Sequence, residues 1–131
     1  MSAPLVLLAE DDEDVRALAE LVLRREGFDV TAVSDGEAAL AAAAERTPAV
    51  AVLDVSMPRM DGLETARRLR ERAETRAVPI MLLTARVTEA DRERGRQAGA
   101  DAQLDKPFSP AVLAQRVREL LEGRPALGSA S

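Results

Sequence analysis

Three short apolar runs, Leu5–Ala9, Ala49–Leu53 and Val78–Leu83, constrain the fold more than any other feature. Each is near-continuous rather than alternating, so both faces of the strand it forms must be covered. That is the pattern of parallel strands held between helices. Asp29–Val33 and Ala102–Asp105 are weaker strand candidates. Between the strands the apolar period becomes helical. In Glu13–Glu26, Val15, Leu18, Ala19 and Val22 share one face, and in Ser109–Glu122 so do Val112, Leu113, Val117, Leu120 and Leu121. Gly27 and Gly99 stand where helix C-terminal caps belong. Asp35, Thr88 and Ser109 stand at N-caps, with Pro110 in the first turn after Ser109. Five β-α alternations imply an α/β domain with a doubly wound parallel sheet. The Ala-rich helix Gly36–Arg46 is expected to pack least firmly.

A chain of 131 residues fits one domain, and 47% apolar residues can build its core without disulfides or structural metal. Phe28 and Phe108 are the only aromatics, so that core is aliphatic. There is no cysteine, which excludes disulfide frameworks, zinc fingers and thiol nucleophiles and suits a cytoplasmic location. There is no histidine, so any phosphohistidine chemistry needs a histidine from another protein. No apolar run is long enough to span a membrane, and the residues before Leu5 do not read as a secretory signal. The net charge of −5, with acids and bases interleaved, argues against direct nucleic-acid binding, and no helix-turn-helix is left over. The pattern stops after Glu122. The expected organisation is one domain over residues 1–123, with 124–131 as a flexible tail or the start of a linker.

In a parallel α/β sheet, ligands bind beyond the carboxyl ends of the strands. The first strand runs into Glu10, Asp11 and Asp12, the third into Asp54, the fourth into Thr84 and the fifth into Lys106. Clustered carboxylates repel, and a divalent cation relieves this. An all-oxygen site without histidine or cysteine favours Mg²⁺. Lys106 can offset phosphoryl charge and Thr84 can donate a hydrogen bond to a phosphoryl oxygen. Phosphoryl transfer needs these parts, because positioning and charge neutralisation supply most of its catalysis. Asp54, central in the sheet, is the expected nucleophile. Each residue also has a plainer reading. The acidic triplet can cap a helix, Asp54 can cap a turn, Thr84 can be structural and Lys106 can be a solvated loop charge. Their joint placement on one edge favours the chemical reading.

The segments LLAEDDEDVR at 7–16, VLDVSMPRMDGLE at 52–64, MLLTAR at 81–86 and GADAQLDKPF at 99–108 resemble the bacterial response-regulator receiver domain, in order and in spacing. The resemblance implies a flavodoxin-like (βα)5 sheet of strand order 2-1-3-4-5. It implies that Asp54 accepts a phosphoryl group from a sensor histidine kinase or a histidine phosphotransfer protein. Glu10 and Asp11 would serve Mg²⁺ together with Asp54 and the main-chain carbonyl of Ser56. Thr84 would be the switch hydroxyl and Lys106 the phosphate-contacting lysine, turned into the site by a cis Lys106–Pro107 bond. Gly62 would give backbone freedom to the loop after Asp54. Such a domain is a signalling switch rather than an enzyme, promoting only its own phosphorylation and dephosphorylation.

Two departures bear on output. The family usually carries Tyr or Phe three residues before the lysine, where this chain has Gln103. Charge pairs of the usual dimer face commonly need acids where this chain has Ala98, Ala102 and Val112, although Arg92, Arg116 and Arg118 remain. A monomer or weak dimer is therefore expected. Ser56 and Arg86 occupy positions that modulate phosphate loss, and Arg86 reads as a solvated arginine or a phosphate contact. Two alternative readings compete with this one. A haloacid-dehalogenase-type Mg²⁺ phosphatase would need a second Asp two residues after the nucleophile, where Ser56 stands. A degenerate receiver acting only as an interaction module would have lost one of Asp11, Asp54, Thr84 or Lys106, and none is lost.

Overall fold

A computed structural model describes residues 3–85 and 88–123. Arg86 and the expected tail at 124–131 lie outside the described residues. Five strands, β1 (Leu5–Ala9), β2 (Asp29–Val33), β3 (Val50–Asp54), β4 (Ile80–Thr84) and β5 (Ala102–Asp105), alternate with five helices. The helices are α1 (Glu13–Arg25), α2 (Gly36–Glu45), α3 (Gly62–Glu71), α4 (Glu89–Ala98) and α5 (Pro110–Leu121). The strands pair in parallel in the order β2-β1-β3-β4-β5, a flavodoxin-like sheet as anticipated. β3 and β4 begin one and two residues later than the apolar runs. At β4 the cause is Pro79, which has no N–H to give the ladder.

Alternate residues of the buried strands feed two cores. Val6, Leu8, Val50, Val52, Met81 and Leu83 face α1 and α5, where Ala19, Leu23, Leu113, Val117 and Leu120 meet them. Leu7, Ala9, Ala51, Leu53, Ile80 and Leu82 face Ala39, Leu40, Ala43, Ala66, Leu69 and Ala98 of α2, α3 and α4. Each fully buried leucine contributes about 2–3 kcal/mol of burial free energy. Leu53→Ala would cost about 2–5 kcal/mol, because both sheet faces are too tightly filled to collapse.

The caps fall where the sequence puts them. Asp35, Thr88 and Ser109 accept N–H bonds at the starts of α2, α4 and α5, and Thr88 with Asp91 completes a capping box. Gly27 and Gly99 adopt φ of 97° and 105° at the ends of α1 and α4, a conformation that favours glycine.

Three packing expectations need correction. Leu18 is 49% exposed, because the buried stripe of α1 runs through Ala19 and Leu23 and Leu18 lies about 100° round the helix from Ala19. Val112 is 38% exposed for the same reason, beside the Leu113–Val117–Leu120 stripe. The least firmly packed helix is α4 rather than α2. Small side chains let Gly36, Ala39, Leu40 and Ala43 of α2 sit close to the sheet, whereas the largely charged α4 buries only Gly95 and Ala98.

Candidate functional site

The register brings the carboxyl ends of β1, β3, β4 and β5 to one edge: Ala9 pairs with Leu53, Asp54 with Leu83, and Thr84 with Asp105. Glu10 and Asp11 leave β1 beside Asp54, and ligand oxygens of all three lie within 4.8 Å of one another. Glu10 is fully buried and Asp54 is 2% exposed, while Asp11 is open to solvent. The third acid, Asp12, belongs to the helix. Its Oδ1 accepts the N–H groups of Asp14 and Val15 as the N-cap of α1. The capping and chemical readings of the acidic triplet are thus both correct, for different residues.

Lys106 reaches across from the end of β5. Its Nζ lies 2.9 Å from Glu10 Oε1 and 3.2 Å from Asp54 Oδ1. The Lys106–Pro107 bond is cis, as the resemblance implies. Glu10 Oε1 is in ionic contact with Nζ without hydrogen-bonding alignment, and Asp54 Oδ2 is buried without a hydrogen-bond partner. Burial, followed by the neighbouring Glu10, raises the Asp54 carboxyl from its ordinary 3.8 to about 7, despite the opposing pull of Lys106. Burial disfavours charge on Lys106 as well, but its contacts with Glu10 and Asp54 prevail and hold its pKa above the usual value.

Once Asp54 is ionised, three carboxylates and one ammonium leave two uncompensated negative charges. Together with the two poorly satisfied buried oxygens, this all-oxygen set fits a small divalent cation. Ser56 enters the site through its main-chain N–H, which donates to Asp54 Oδ1 at 3.2 Å. Thr84 is buried at the end of β4, one residue beyond the register partner of Asp54. It lines a cavity with Ser56 and Gln103.

Gly62 serves a different purpose from the one anticipated. Its φ is not positive; a Cβ there would lie 2.4 Å from the main-chain oxygen of Asp54, so glycine is needed for close approach. The loop it closes folds back through the Gly62 N–H to Val55 O bond, with Arg59 at φ 67° and paired to Asp35. Arg16 was not foreseen. Its Nη1 donates to Glu10 O at 2.9 Å, fixing the main chain from which Glu10 and Asp11 project. An arginine in the opening turns of the helix was its only trace in the sequence.

Sheet and site together define a doubly wound α/β domain with an acidic, lysine-bearing pocket at its carboxyl edge. Residues 6–118 match the family described as the response regulator receiver domain, and the chain belongs to that family. It is 44% identical over 131 residues to the transcriptional regulatory protein PrrA of Mycobacterium leprae, covering all of this chain and 55% of that protein. It is 42% identical over 116 residues to CseB of Streptomyces avermitilis, covering 88% and 48%. The chain thus spans about half the length of these relatives. Among solved structures, the chemotaxis response regulator CheY4 of Vibrio cholerae superposes with a TM-score of 0.87 at 29% identity, over 91% of this chain and 99% of that one. The receiver domain of the sensor histidine kinase PA1611 of Pseudomonas aeruginosa, with magnesium coordinated in its active-site cleft, superposes with a TM-score of 0.84 at 35% identity, over 93% and 99%.

The chain is therefore a receiver domain of two-component signalling, and such domains are signalling switches. The comparisons give the phosphatase alternative no support. Among the described residues, no helix is long and apolar enough to cross a membrane.

Proposed function

We propose that Asp54 is the phosphoacceptor and that a sensor histidine kinase or histidine phosphotransfer protein is the donor. The carrying observation is the cluster of Glu10, Asp11 and Asp54 with Lys106 bridging two of them, at the carboxyl edge of a parallel sheet. An Asp54 oxygen attacks phosphorus as the N–P bond of phosphohistidine breaks. The electron pair stays on the imidazole, and an aspartyl phosphate forms. Glu10, Asp11, Asp54 and the Ser56 carbonyl would hold Mg²⁺, which supplies charge neutralisation for the carboxylates and the phosphoryl oxygens. Lys106 pairs with the added charge, and the Thr84 hydroxyl donates to a phosphoryl oxygen. Hydrolysis at the same site returns the domain to rest.

The domain spans residues 1–123 and works in the cytoplasm. Its output is carried by a partner or an attached effector domain, in keeping with relatives that are transcriptional regulators. It is a monomer or weak dimer. In support, Ala98 and Ala102 are buried, and Arg118 is engaged within the chain with Glu26 and over the Phe28 ring. Sedimentation of the beryllofluoride-treated protein as a tight dimer would contradict that state.

The test of the phosphoacceptor is incubation with acetyl phosphate and Mg²⁺ followed by intact mass. One phosphoryl adduct is expected, absent in Asp54→Ala and in the presence of EDTA. An adduct that persists in Asp54→Ala would overturn the assignment.

A further inference from the structure

Gln103 occupies the position where the family usually carries an aromatic ring, and the structure gives it a specific partner. Its Nε2 donates to the main-chain oxygen of Arg92 in α4 at 2.9 Å. The amide packs closely against Gly95. A Cβ at position 95 would stand 2.5 Å from Nε2, 2.7 Å from Cδ and 2.9 Å from Oε1. Glycine in a helix interior is a cost, about four- to fivefold in helix stability against alanine. At position 95 it makes room for the amide.

α4 has little else to anchor it. It buries only Gly95 and Ala98, both near its C-terminal end, and Arg70 grips the carbonyl of Gly99 just beyond. The first turns, Glu89–Arg94, carry no buried residue. On its other side Gln103 borders a cavity of about 300 Å³ that Ser56, Thr84, Asp91 and Arg94 also line. A released amide has space to turn into, and that space opens on Thr84.

We propose that Gln103 and Gly95 form a matched latch that holds the first turns of α4 against β5, and that its release sets how readily the α4 face rearranges when Asp54 is phosphorylated. The second half rests on the function proposed above. Gln103 and Gly95 are positioning residues that touch no reacting atom. A single exposed hydrogen bond shifts a two-state equilibrium by about three- to tenfold. That is large enough to tune a switch without locking it.

Hydrogen exchange followed by mass spectrometry, on the full chain in Mg²⁺ without phosphoryl donor, tests the latch directly. Gln103→Ala should speed exchange of the 89–95 amides about three- to tenfold and leave β1 and β3 unchanged. Gly95→Ala gives the sharper result. In the wild-type background it should displace the amide and speed α4 exchange. In the Gln103→Ala background, with no amide to displace, the same substitution should slow exchange through helix propensity alone. Gly95→Ala slowing exchange in both backgrounds, or Gln103→Ala leaving α4 unchanged, would overturn the latch.

Phosphorylation by acetyl phosphate, read as intact mass, tests the regulatory half. Both single variants should accept the phosphoryl group about two- to fivefold faster, because less is spent releasing α4. An unchanged rate in variants whose α4 exchange is faster would show that the latch does not govern the site. If wild type takes no adduct, the phosphoacceptor assignment fails, while the resting-state exchange still decides the latch.

Discussion

Asp54→Asn should make the metal-free protein more stable, although it removes an ion-pair partner of Lys106. Native Asp54 keeps its proton up to about pH 7, whereas an unfolded aspartate releases it near 3.8. Between those values the folded state binds more protons than the unfolded state. The contribution of this group to stability is therefore fully present below 3.8 and is lost as pH rises through about 7. At about 1.4 kcal/mol per pH unit, the rise amounts to ~4 kcal/mol of ionisation cost once Asp54 is charged. Asparagine keeps the shape without the charge. The ionic contact to Lys106 at 3.2 Å that it gives up is already inside that figure, because Lys106 lowers the Asp54 pKa that burial and Glu10 raise. The gain expected at pH 8 is therefore about 4 kcal/mol.

Urea unfolding in EDTA, followed by far-UV circular dichroism, measures it; the chain has no tryptophan or tyrosine to report by fluorescence. Many carboxylates titrate, so the informative curve is the difference between variant and wild type. That difference should be near zero at about pH 4, grow with pH and level off by about pH 8. In wild type, Mg²⁺ at ten times its dissociation constant should restore about 1.4 kcal/mol, and in Asp54→Asn much less. A variant less stable than wild type at pH 8, or a difference flat across that window, would refute the cost that burial and Glu10 place on charging Asp54.

Lys106→Met leaves Glu10 and Asp54 facing each other without a cation. It should cost about 2–3 kcal/mol in EDTA, much of it recovered in Mg²⁺, with both read by urea unfolding. Arg70→Ala removes the guanidinium that bonds the carbonyls of Arg76, Val78 and Gly99 and the carboxylate of Asp101. An expected loss of about 2–3 kcal/mol, with Mg²⁺ affinity unchanged, would mark it as structural. Gly62→Ala puts a Cβ against the main-chain oxygen of Asp54, which no flexible side chain can relieve. Calorimetric Mg²⁺ affinity should fall about tenfold as the site deforms, and an unchanged affinity would show that the loop yields without disturbing Asp54.

Local signals made most of the fold legible in the sequence. A buried parallel strand needs an unbroken apolar run, and a helix start needs a side-chain acceptor, so Leu5–Ala9 and the Asp35, Thr88 and Ser109 caps were visible without tertiary information. The site was legible because parallel topology carries successive strand ends to one edge. Glu10, Asp11, Asp54 and Lys106 needed only that rule to come together. Contacts set by where a whole helix lies were not legible. Leu18 and Ala19 look alike in a periodic pattern, yet the stripe turns on which of them meets the sheet. Arg16 bonds a carbonyl, which leaves no mark on composition.

Gln103 shows the difference most clearly. Read alone, it is the loss of an aromatic ring and hence of a readout. Gly95, eight residues earlier, reads as a weak point in a charged helix. Neither implies the other until α4 is laid against β5, when the missing Cβ and the amide prove to occupy the same few ångströms. The weakly apolar helix then follows from the same arrangement. With Gly95 and Ala98 as its only buried residues, α4 takes much of its position from polar contacts, and polar contacts of this strength can be exchanged at little cost when charge arrives at the sheet edge.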